Sequence, residues 1–438
     1  MDTITYRCYD PREFKALTFH DATLRFRDGA DTPRAYLERC LETIAAREPV
    51  VKAFVARNDA GARAAADAST ARWKAGKPLS PIDGMPVAIK DLLETKDMPT
   101  DFGCAAYRGN MTRRDNAAVW ALRQAGAVPF GKTATAELGG SHPPATTNPF
   151  DPARTPGGSS SGSAAAIGAR MVPAALGTQV GGSVIRPAAF CGNVALKPTQ
   201  GGINRGERQA TSMSTTGVHA GCLEDMWQVA IEIVRRAGGD PGRPGLFGPA
   251  TPPAAVKPGR LIVLETEGWK SVDAATRSAF ELLMENLARA GVTLLRRKDH
   301  AWIEAFEKSI ASAGNTANGI TAWENRWYQA ALVELYPDGV SERLKNTVRR
   351  AESMSPDDYR ALLLDRAAAQ QCHAAVGPLA DAVITLSCPG PAPLWPGDVP
   401  GQPLAPRPTG DSVFNTPSSM LHAPAVTMPI MGVGGMPV

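Results

Sequence analysis

The sequence has 438 residues, 43% apolar and 21% charged, so it can bury a large core as one big domain or as two or three of ordinary size. Its net charge is +4, with 47 basic residues interleaved among 43 acidic ones, which argues against a nucleic-acid-binding or membrane-surface protein. Residues 1–10 lack the pattern of a signal peptide, and no apolar run of about 18 residues occurs, so we expect a cytoplasmic protein without a membrane span.

From the N-terminal region to Trp302, helical and strand-like segments alternate. Thr32 fits an N-cap before Pro33 in an amphipathic helix, and GMPVAIKD reads as an apolar strand that ends at Lys90. The other predicted helices cover about residues 58–74, 116–124, 161–169, 224–236 and 272–290. The other predicted strands are AVPFGK, MVPAALGT, RLIVLE and VTLLR. This alternation predicts an α/β protein with a largely parallel or mixed sheet.

After Trp302 the pattern is helical to about Val376, with expected breaks near Gly319 and Pro337. This stretch, about residues 302–376, reads as a cap or an insertion. Two further strands, ADAVITLS and APAVTMPIM, flank a segment rich in proline and glycine. Because strands lie on both sides of that segment, we interpret it as a long surface loop within one domain rather than as a linker.

Cysteine and histidine are scattered too widely to predict a disulfide framework or a metal site. The seven cysteines include no CxxC pair, and the six histidines include no HExxH motif. We therefore expect reduced, mostly packed cysteines, no metal ion and no other cofactor.

Two segments match well-known motifs in the wrong structural context. GAVPFGKT, residues 126–133, fits the phosphate-loop pattern, but a helix precedes it and its middle residues are strand-like, the reverse of what phosphate binding needs. GSSSG, residues 158–162, fits the nucleophile elbow of α/β-hydrolases, which would make Ser160 the nucleophile. Turn formers rather than a buried strand precede it, and the sequence contains no HGGG segment. We reject both interpretations.

Three segments, in this order, point to chemistry: GMPVAIKD with Lys90, TPGGSSSGSAAA with its serines, and GTQVGGSVIRP with Ser183. A serine hydroxyl needs a nearby base to act as a nucleophile, and none of these segments contains histidine. A lysine can be that base where burial disfavours its charged form, and Lys90 follows the apolar residues PVAI. For an isolated lysine, a surface position paired with Asp91 would be the commoner arrangement. The glycines before Ser183 allow close approach to a substrate and a positive φ if the turn demands it.

Together the three segments resemble the amidase signature family of Ser-Ser-Lys hydrolases, with looser similarity over most of the chain. The resemblance implies an α/β fold with a large mixed β-sheet core flanked by helices on both faces. It also implies Ser183 as the acylating nucleophile, Ser159 as the bridging serine after a cis Gly158–Ser159 peptide, and Lys90 as the base. The 24-residue spacing between Ser159 and Ser183 is similar to that of the family and favours Ser159 over Ser160 or Ser161.

The residues around Ser183 have two further expected roles. Val180, Gly181 and Gly182 would offer backbone N–H donors to the oxyanion of a tetrahedral intermediate. Arg186 would either hold a structural partner or bind an anionic group of the substrate beside the scissile amide. The order GGSVIR resembles malonamidase-type members, which act on short amides that carry a carboxylate.

Three features depart from the family pattern. Gln179 stands where many relatives have aspartate, and Ser214 occupies a place often held by aspartate. The chain stops at Val438, where relatives usually continue through another core strand and a final helix. We therefore expect either an uncovered sheet edge or an incomplete sequence.

We expect one amidase domain, with substrate-pocket residues drawn from about 201–221 and from the helices after Trp302. Arg205 and Arg208 would lie near the entrance or in a solvated loop. The domain is expected to span residues 1–438, with N-terminal helices at about 1–78, a signature core at about 79–235, and a C-terminal half at about 236–438 that contains the helical insertion.

The leading prediction is a cytoplasmic amidohydrolase that forms an acyl-Ser183 intermediate from a small carboxamide and needs no cofactor. One alternative is the glutaminase subunit of a tRNA-dependent amidotransferase, which would work with partner chains. The other is a non-catalytic scaffold descended from the same fold. We expect no direct contact with nucleic acid or membrane, and a homodimer is left open.

Overall fold

A seven-stranded mixed sheet carries the motif segments in the computed structural model, which describes residues 8–140, 142–207 and 211–438. In spatial order its strands are β1 (Phe54–Arg57), β3 (Val128–Thr133), β2 (Pro86–Lys90), β4 (Ala174–Gln179), β6 (Thr215–Ala220), β5 (Val194–Lys197) and β10 (Ala425–Thr427). Strand β2 is parallel to both of its neighbours, and the other pairs are antiparallel. The predicted mixed α/β fold is therefore confirmed.

Helices cover both faces of this sheet, as the resemblance implied. They are α1 (His20–Arg27), α2 (Pro33–Val51), α3 (Asp59–Lys74), α4 (Ala117–Gln124), α5 (Ser161–Gly168), α6 (Ile185–Phe190) and α7 (Leu223–Ala237). The alternation along β2 shows the two layers: Val87 and Ile89 pack with residues of α4 and α7, whereas Ala88 packs with residues of α2 and α5. Because both faces of β2 are covered, Lys90 at its end lies deep in the molecule.

Local sequence signals explain where the first long helices begin. Thr32 Oγ accepts a hydrogen bond from the Ala35 N–H at 3.1 Å and Pro33 occupies the first helical position, so the predicted start of α2 is confirmed. Asn58 caps α3 in the same way, through the Gly61 N–H at 2.9 Å.

Three of the predicted strands form a separate sheet instead of joining the large one. They are β7 (Arg260–Val263), β8 (Thr293–Leu295) and β9 (Ala382–Ile384), all parallel, with β7 in the middle. The helices of this half are α8 (Ala274–Arg289), α9 (Ala301–Ser309), α10 (Ala313–Leu335), α11 (Glu342–Glu352), α12 (Pro356–Val376) and α13 (Thr416–Met420). The last two strands, β11 (Gly432–Val433) and β12 (Met436–Pro437), form a short hairpin. Single 3₁₀ turns occur at Ala105–Tyr107, Glu137–Gly139, Glu267–Ser271, Arg297–Asp299 and Gly377–Leu379.

In the helical stretch after Trp302, one of the two predicted breaks is present and the other is not. A break follows α10 next to Pro337, as predicted, but α10 continues through Gly319 without interruption. A Cβ atom on Gly319 would lie 2.5 Å from Leu362 Cδ1 of α12. The glycine therefore allows α10 and α12 to pack closely, and it does not end the helix.

The structure bears on two expectations from the composition, which concern the state of the cysteines and the character of the helices. All seven cysteines are free, and Cys40, Cys104, Cys191 and Cys388 are buried. Within the described ranges, no helix has both the length and the apolar character needed to cross a lipid bilayer.

Candidate active site

Lys90 is fully buried at the end of β2, and its ammonium group faces only uncharged partners. Its Nζ donates to Ser159 Oγ at 2.8 Å, to Ser160 Oγ at 2.9 Å, and to the hydroxyl and the carbonyl of Thr178 at 2.9 and 3.2 Å. Burial without a counter-charge lowers the pKa of Lys90 well below its ordinary value. The site therefore favours the neutral amine, the form that can accept a proton.

The carboxylate next to Lys90 in the sequence is held by a different lysine. Asp91 Oδ1 lies 3.0 Å from Nζ of Lys132, and both side chains are buried. Lys132 also donates to Thr100 Oγ at 2.6 Å. The alternative of a surface lysine paired with Asp91 is therefore wrong for Lys90. Lys132 belongs to GAVPFGKT, and that segment lies largely in strand β3, so its predicted strand character, which argues against a phosphate loop, is confirmed.

Ser159 and Ser160 both contact Lys90, but they differ in what else they reach. The peptide between Gly158 and Ser159 is cis, as the family resemblance implied. Ser159 lines a cavity, whereas Ser160 is fully buried outside the cavity lining and donates its backbone N–H to the Ser183 carbonyl at 3.2 Å. Ser159 is thus the hydroxyl of this pair that faces both Lys90 and open space.

Ser183 lies in the turn between the end of β4 and the start of α6, and it lines the same cavity as Ser159. Its side-chain oxygen makes no hydrogen bond to any group in the described part of the chain. The backbone N–H groups of residues 180–183 likewise donate to no acceptor there. Three carbonyls of this turn are occupied, because Ser419 Oγ donates to Gly181 O at 2.9 Å, the Arg186 N–H to Gly182 O at 3.0 Å, and the Ser160 N–H to Ser183 O at 3.2 Å. Unpaired N–H groups beside a cavity form a natural anion-binding turn.

Gln179, the first departure from the family pattern, fastens this turn. Its Oε1 accepts from the N–H groups of Val184 at 2.8 Å and Ile185 at 3.0 Å, and its Nε2 donates to Ser419 Oγ at 3.0 Å. Since Ser419 in turn donates to Gly181 O, one uncharged side chain reaches both ends of the turn.

Gly182 is required by close packing and not by a left-handed backbone. Neither Gly181 nor Gly182 has a positive φ, so the left-handed backbone that the sequence analysis considered for these glycines does not occur. A Cβ atom on Gly182 would lie 2.6 Å from Asn415 Oδ1 and 3.0 Å from Ser412 Cβ. The turn can therefore sit against the loop that leads into α13 only if residue 182 lacks a side chain.

Arg186 is buried behind the turn and is absent from the cavity lining. Its Nη2 donates to the carbonyl of Gly158 at 2.6 Å and to Thr409 Oγ at 3.1 Å. Burial lowers the pKa of Arg186 to about 10. These contacts favour the structural alternative, with a carbonyl of the serine tract as the partner in place of a carboxylate.

The cavity has a volume of about 180 Å³ and is lined by residues from both halves of the chain. The segment 201–221 contributes Arg205, Thr211, Ser214 and Thr216, and the helices after Trp302 contribute residues of α10 and α11. Both regions were predicted as sources of the pocket. Arg205 is also ion-paired with Asp240 at 2.6 Å, and Arg208 lies outside the described residues.

Within the described ranges, one cluster of side chains could bind a metal ion. It consists of His20, Cys222 and Asp225, which are distant in the sequence from Ser159 and Ser183. The carboxylate of Asp225 already accepts from the N–H groups of Phe19 and His20 at 2.6 and 2.9 Å. Cys222 caps the start of α7. Helix capping accounts for both side chains, so we assign no metal to them.

Residues 35–438 match the family model described as Amidase. The chain belongs to the amidase family. A glutamyl-tRNA(Gln) amidotransferase subunit of Chloroflexus aurantiacus is 37% identical over 292 residues, which are 62% of this chain and 59% of that protein. The chain thus spans less than two thirds of the length of such relatives.

Solved structures show the same family fold. A crystal structure described as an amidase superposes with a TM-score of 0.81 at 25% identity, covering 96% of this chain and 94% of that one. The 6-aminohexanoate cyclic dimer hydrolase superposes with a TM-score of 0.80 at 22% identity, covering 96% and 92%. The predictions of the family and of its fold are confirmed. Hydrolysis of amide bonds is the reaction class of this family.

The amidase motifs predicted the strand ends and turns of the site but not the side chains that α10 and α11 add to the cavity. Asn325 and Gln329 of α10 and Arg343 of α11 line it, and no sequence motif marks them. A polar residue on the buried face of an amphipathic helix was the available signal, because such positions are normally apolar.

Proposed function

We propose that the chain hydrolyses the C–N bond of a small amide through an acyl-Ser183 intermediate. In this proposal Lys90 is the base, Ser159 relays the proton, and the N–H groups of Val180, Gly181 and Gly182 bind the oxyanion. The observation that carries it is the fully buried Lys90, whose contacts are all uncharged and whose Nζ lies 2.8 Å from Ser159 Oγ.

In the acylation step the neutral amine of Lys90 takes the proton of Ser159 while Ser159 takes that of Ser183. The Ser183 oxygen bonds to the amide carbon, and the carbonyl oxygen becomes an oxyanion facing the unpaired N–H groups of the turn. When the intermediate collapses, the C–N bond breaks. The proton returns through Ser159 to the departing nitrogen, which leaves as ammonia or an amine.

In the deacylation step water attacks the ester of Ser183 and passes its proton along the same route. The products are a carboxylic acid and the free serine, so each group ends in its starting protonation state. The cavity volume of about 180 Å³ favours a compact substrate. No redox partner is needed, because hydrolysis transfers only protons.

A serine-directed fluorophosphonate followed by peptide mass mapping tests the assignment. We expect the label on Ser183 and its loss, with loss of turnover, in Ser183→Ala. Ser161→Ala is the matched control, because Ser161 is buried in the same tract and donates to Gly157 O at 2.7 Å outside the cavity lining. A label on Ser160 alone, no label on any serine, or full activity in Ser183→Ala would overturn the proposal; the absence of label and turnover would favour the scaffold alternative.

The names of the similar curated proteins favour a second candidate, the glutamine-hydrolysing subunit of an amidotransferase that acts on tRNA-bound substrate. In that case the partner chains would supply the contact with tRNA, in keeping with the net charge of +4. Copurification with partner chains, together with inactivity of the isolated chain on free amides, would favour this candidate. Turnover of small amides by the chain alone would favour the first. A cytoplasmic location remains a prediction under either one.

A further inference from the structure

Part of the wall of the cavity is formed by α10 and α11, and it contains a buried amide group without a hydrogen-bond partner. Asn325 of α10 is 8% exposed and lines the cavity. Its side chain makes no hydrogen bond to any other group in the described ranges, and its Oδ1 is shielded from solvent. An unpaired buried amide is costly, because it loses its bonds to water and gains none in exchange.

The neighbouring polar side chains of α10 do not satisfy Asn325. Gln329 is also buried, and its side chain interacts with the hydroxyl of Tyr328. Thr347 of α11 donates to a carbonyl of its own helix, Arg343 O, at 3.0 Å. Within the described ranges, the amide of Asn325 is therefore a buried polar group of this wall that is open to a partner from outside the chain.

The charged side chains of the cavity, in contrast, already have partners in the protein. Glu94 is paired with Arg114 at 2.9 Å, and Arg205 with Asp240. Arg343 is paired with Asp398, and the carboxylate of Glu137 accepts from the Ser341 N–H at 2.9 Å. A charged group on the substrate would have to compete with these partners, whereas an uncharged one would not.

The geometry points to a substrate that carries a second, uncharged amide group, bound by the side chain of Asn325 while the first amide lies at Ser183. This inference rests on the proposed function and narrows its substrate class. A carboxamide is the natural complement of Asn325, because each group offers both an N–H donor and a carbonyl acceptor. The cavity of about 180 Å³ suits a short chain between the two amides.

The test is equilibrium binding to the Ser183→Ala protein, which avoids any need for turnover. The probes are the malonyl, succinyl and glutaryl diamides, the matching half-acids, and amides in which the second carboxamide is replaced by an isopropyl group of similar shape. We expect the best-fitting diamide to bind about tenfold more tightly than both of its matched analogues. Tighter binding of the half-acid or of the isopropyl analogue, or no binding by any diamide, would overturn the inference.

The role of Asn325 is tested by substitution in the same Ser183→Ala background. Asn325→Leu is expected to abolish the roughly tenfold preference for the diamide, and Asn325→Asp, which keeps the shape, to weaken the half-acid further. Asn318→Leu is the matched control, since Asn318 lies on the same helix but is exposed. An unchanged preference in both Asn325 variants would overturn the inference even if one of them is poorly folded.

The two proposals fail in different ways. A diamide that binds to Ser183→Ala through Asn325 but is not turned over by the native protein would contradict the proposed function and leave the binding site intact. Specific labelling of Ser183 with no preference for diamides would contradict the substrate class alone.

Discussion

The two regions that meet at the cavity are built on different principles. On one side, Lys90, Ser159 and Ser183 lie at strand ends and tight turns of the seven-stranded sheet, where parallel β2 and β4 place their carboxyl ends side by side. On the other side, α10 and α11 present side chains from the surface of long helices. If the proposals hold, backbone position determines the chemistry, whereas side-chain identity on a helix determines recognition.

The difference has a physical cause. A turn such as residues 180–183 works only when its backbone packs within van der Waals distance of its neighbours, which leaves glycine as the fitting residue at position 182. A helix keeps its backbone with most side chains other than proline and glycine, so the residue at a position such as Asn325 can change without altering the backbone. Substitutions in the two regions should accordingly separate catalysis, stability and substrate preference.

The largest expected effect is the loss of the base. Lys90→Met should reduce kcat on the order of 10⁴-fold, because an alcohol without its base is a poor nucleophile. Lys197→Met is the matched control: Lys197 is also a fully buried strand lysine, its pKa is lowered to about 7 by burial, and it is absent from the cavity lining. Steady-state kinetics on any amide that is turned over give the comparison. An equal loss of kcat in the two variants would mean that burial of a lysine, and not its place beside Ser159, matters.

The same glycine substitution should affect stability very differently in the two regions. A Cβ atom on Gly162 of α5 would meet the backbone of Ala53 and lie 2.5 Å from the backbone nitrogen of Ala134. Backbone cannot move aside easily, so we expect Gly162→Ala to lower the free energy of unfolding by about 3 kcal/mol. The methyl group added by Gly319→Ala would meet only the end of the Leu362 side chain, which can rotate. Because alanine stabilises a helix by about 1 kcal/mol relative to glycine, Gly319→Ala should change the free energy of unfolding by about 1 kcal/mol or less.

Urea denaturation monitored by circular dichroism measures both changes. Equal destabilisation by the two substitutions would remove the distinction between backbone packing in the sheet region and side-chain packing in the helical region.

The sequence predicted the strand ends and turns of the sheet region better than the contacts made by the helical region. The strand PVAIK, the serine tract and the turn at Ser183 were all recognisable, because glycines, prolines and apolar runs encode local backbone geometry. The separate sheet of β7, β8 and β9 was not, since short apolar strands carry no signal for their partners. The sequence also did not show why Gly319 lies inside α10, because the neighbour that leaves no room for a Cβ atom there, Leu362, is distant in sequence. Asn325 was missed for a similar reason, because only the fold brings it to the cavity.

An intermediate effect is expected from loosening the turn without touching the reacting groups. Gln179→Met preserves the approximate shape of the side chain but removes the acceptor for Val184 and Ile185 and the donor to Ser419. We expect kcat to fall by about 10- to 100-fold with little change in KM, because the oxyanion donors act mainly in the transition state.

Gln228→Met controls for the chemical change, since Gln228 is buried in α7 and lies outside the cavity lining. An increase in KM at constant kcat in Gln179→Met would show that the side chain shapes ground-state binding and does not position the oxyanion donors.

The smallest expected effect is a shift in pH dependence. In the proposed mechanism Lys90 acts as a neutral amine, so activity should rise with pH through the lowered pKa of Lys90 and then level off. Thr178 Oγ accepts from Lys90 Nζ at 2.9 Å and so stabilises the charged form. Thr178→Val removes that acceptor, lowers the pKa further, and should move the acid limb of the kcat/KM profile to lower pH by roughly 0.5 to 1 unit. Thr216→Val is the matched control, because Thr216 pairs with Thr178 across β4 and β6 and also lines the cavity without a contact to Lys90. A shift of the acid limb to higher pH, or an equal shift in both variants, would mean that another group controls it.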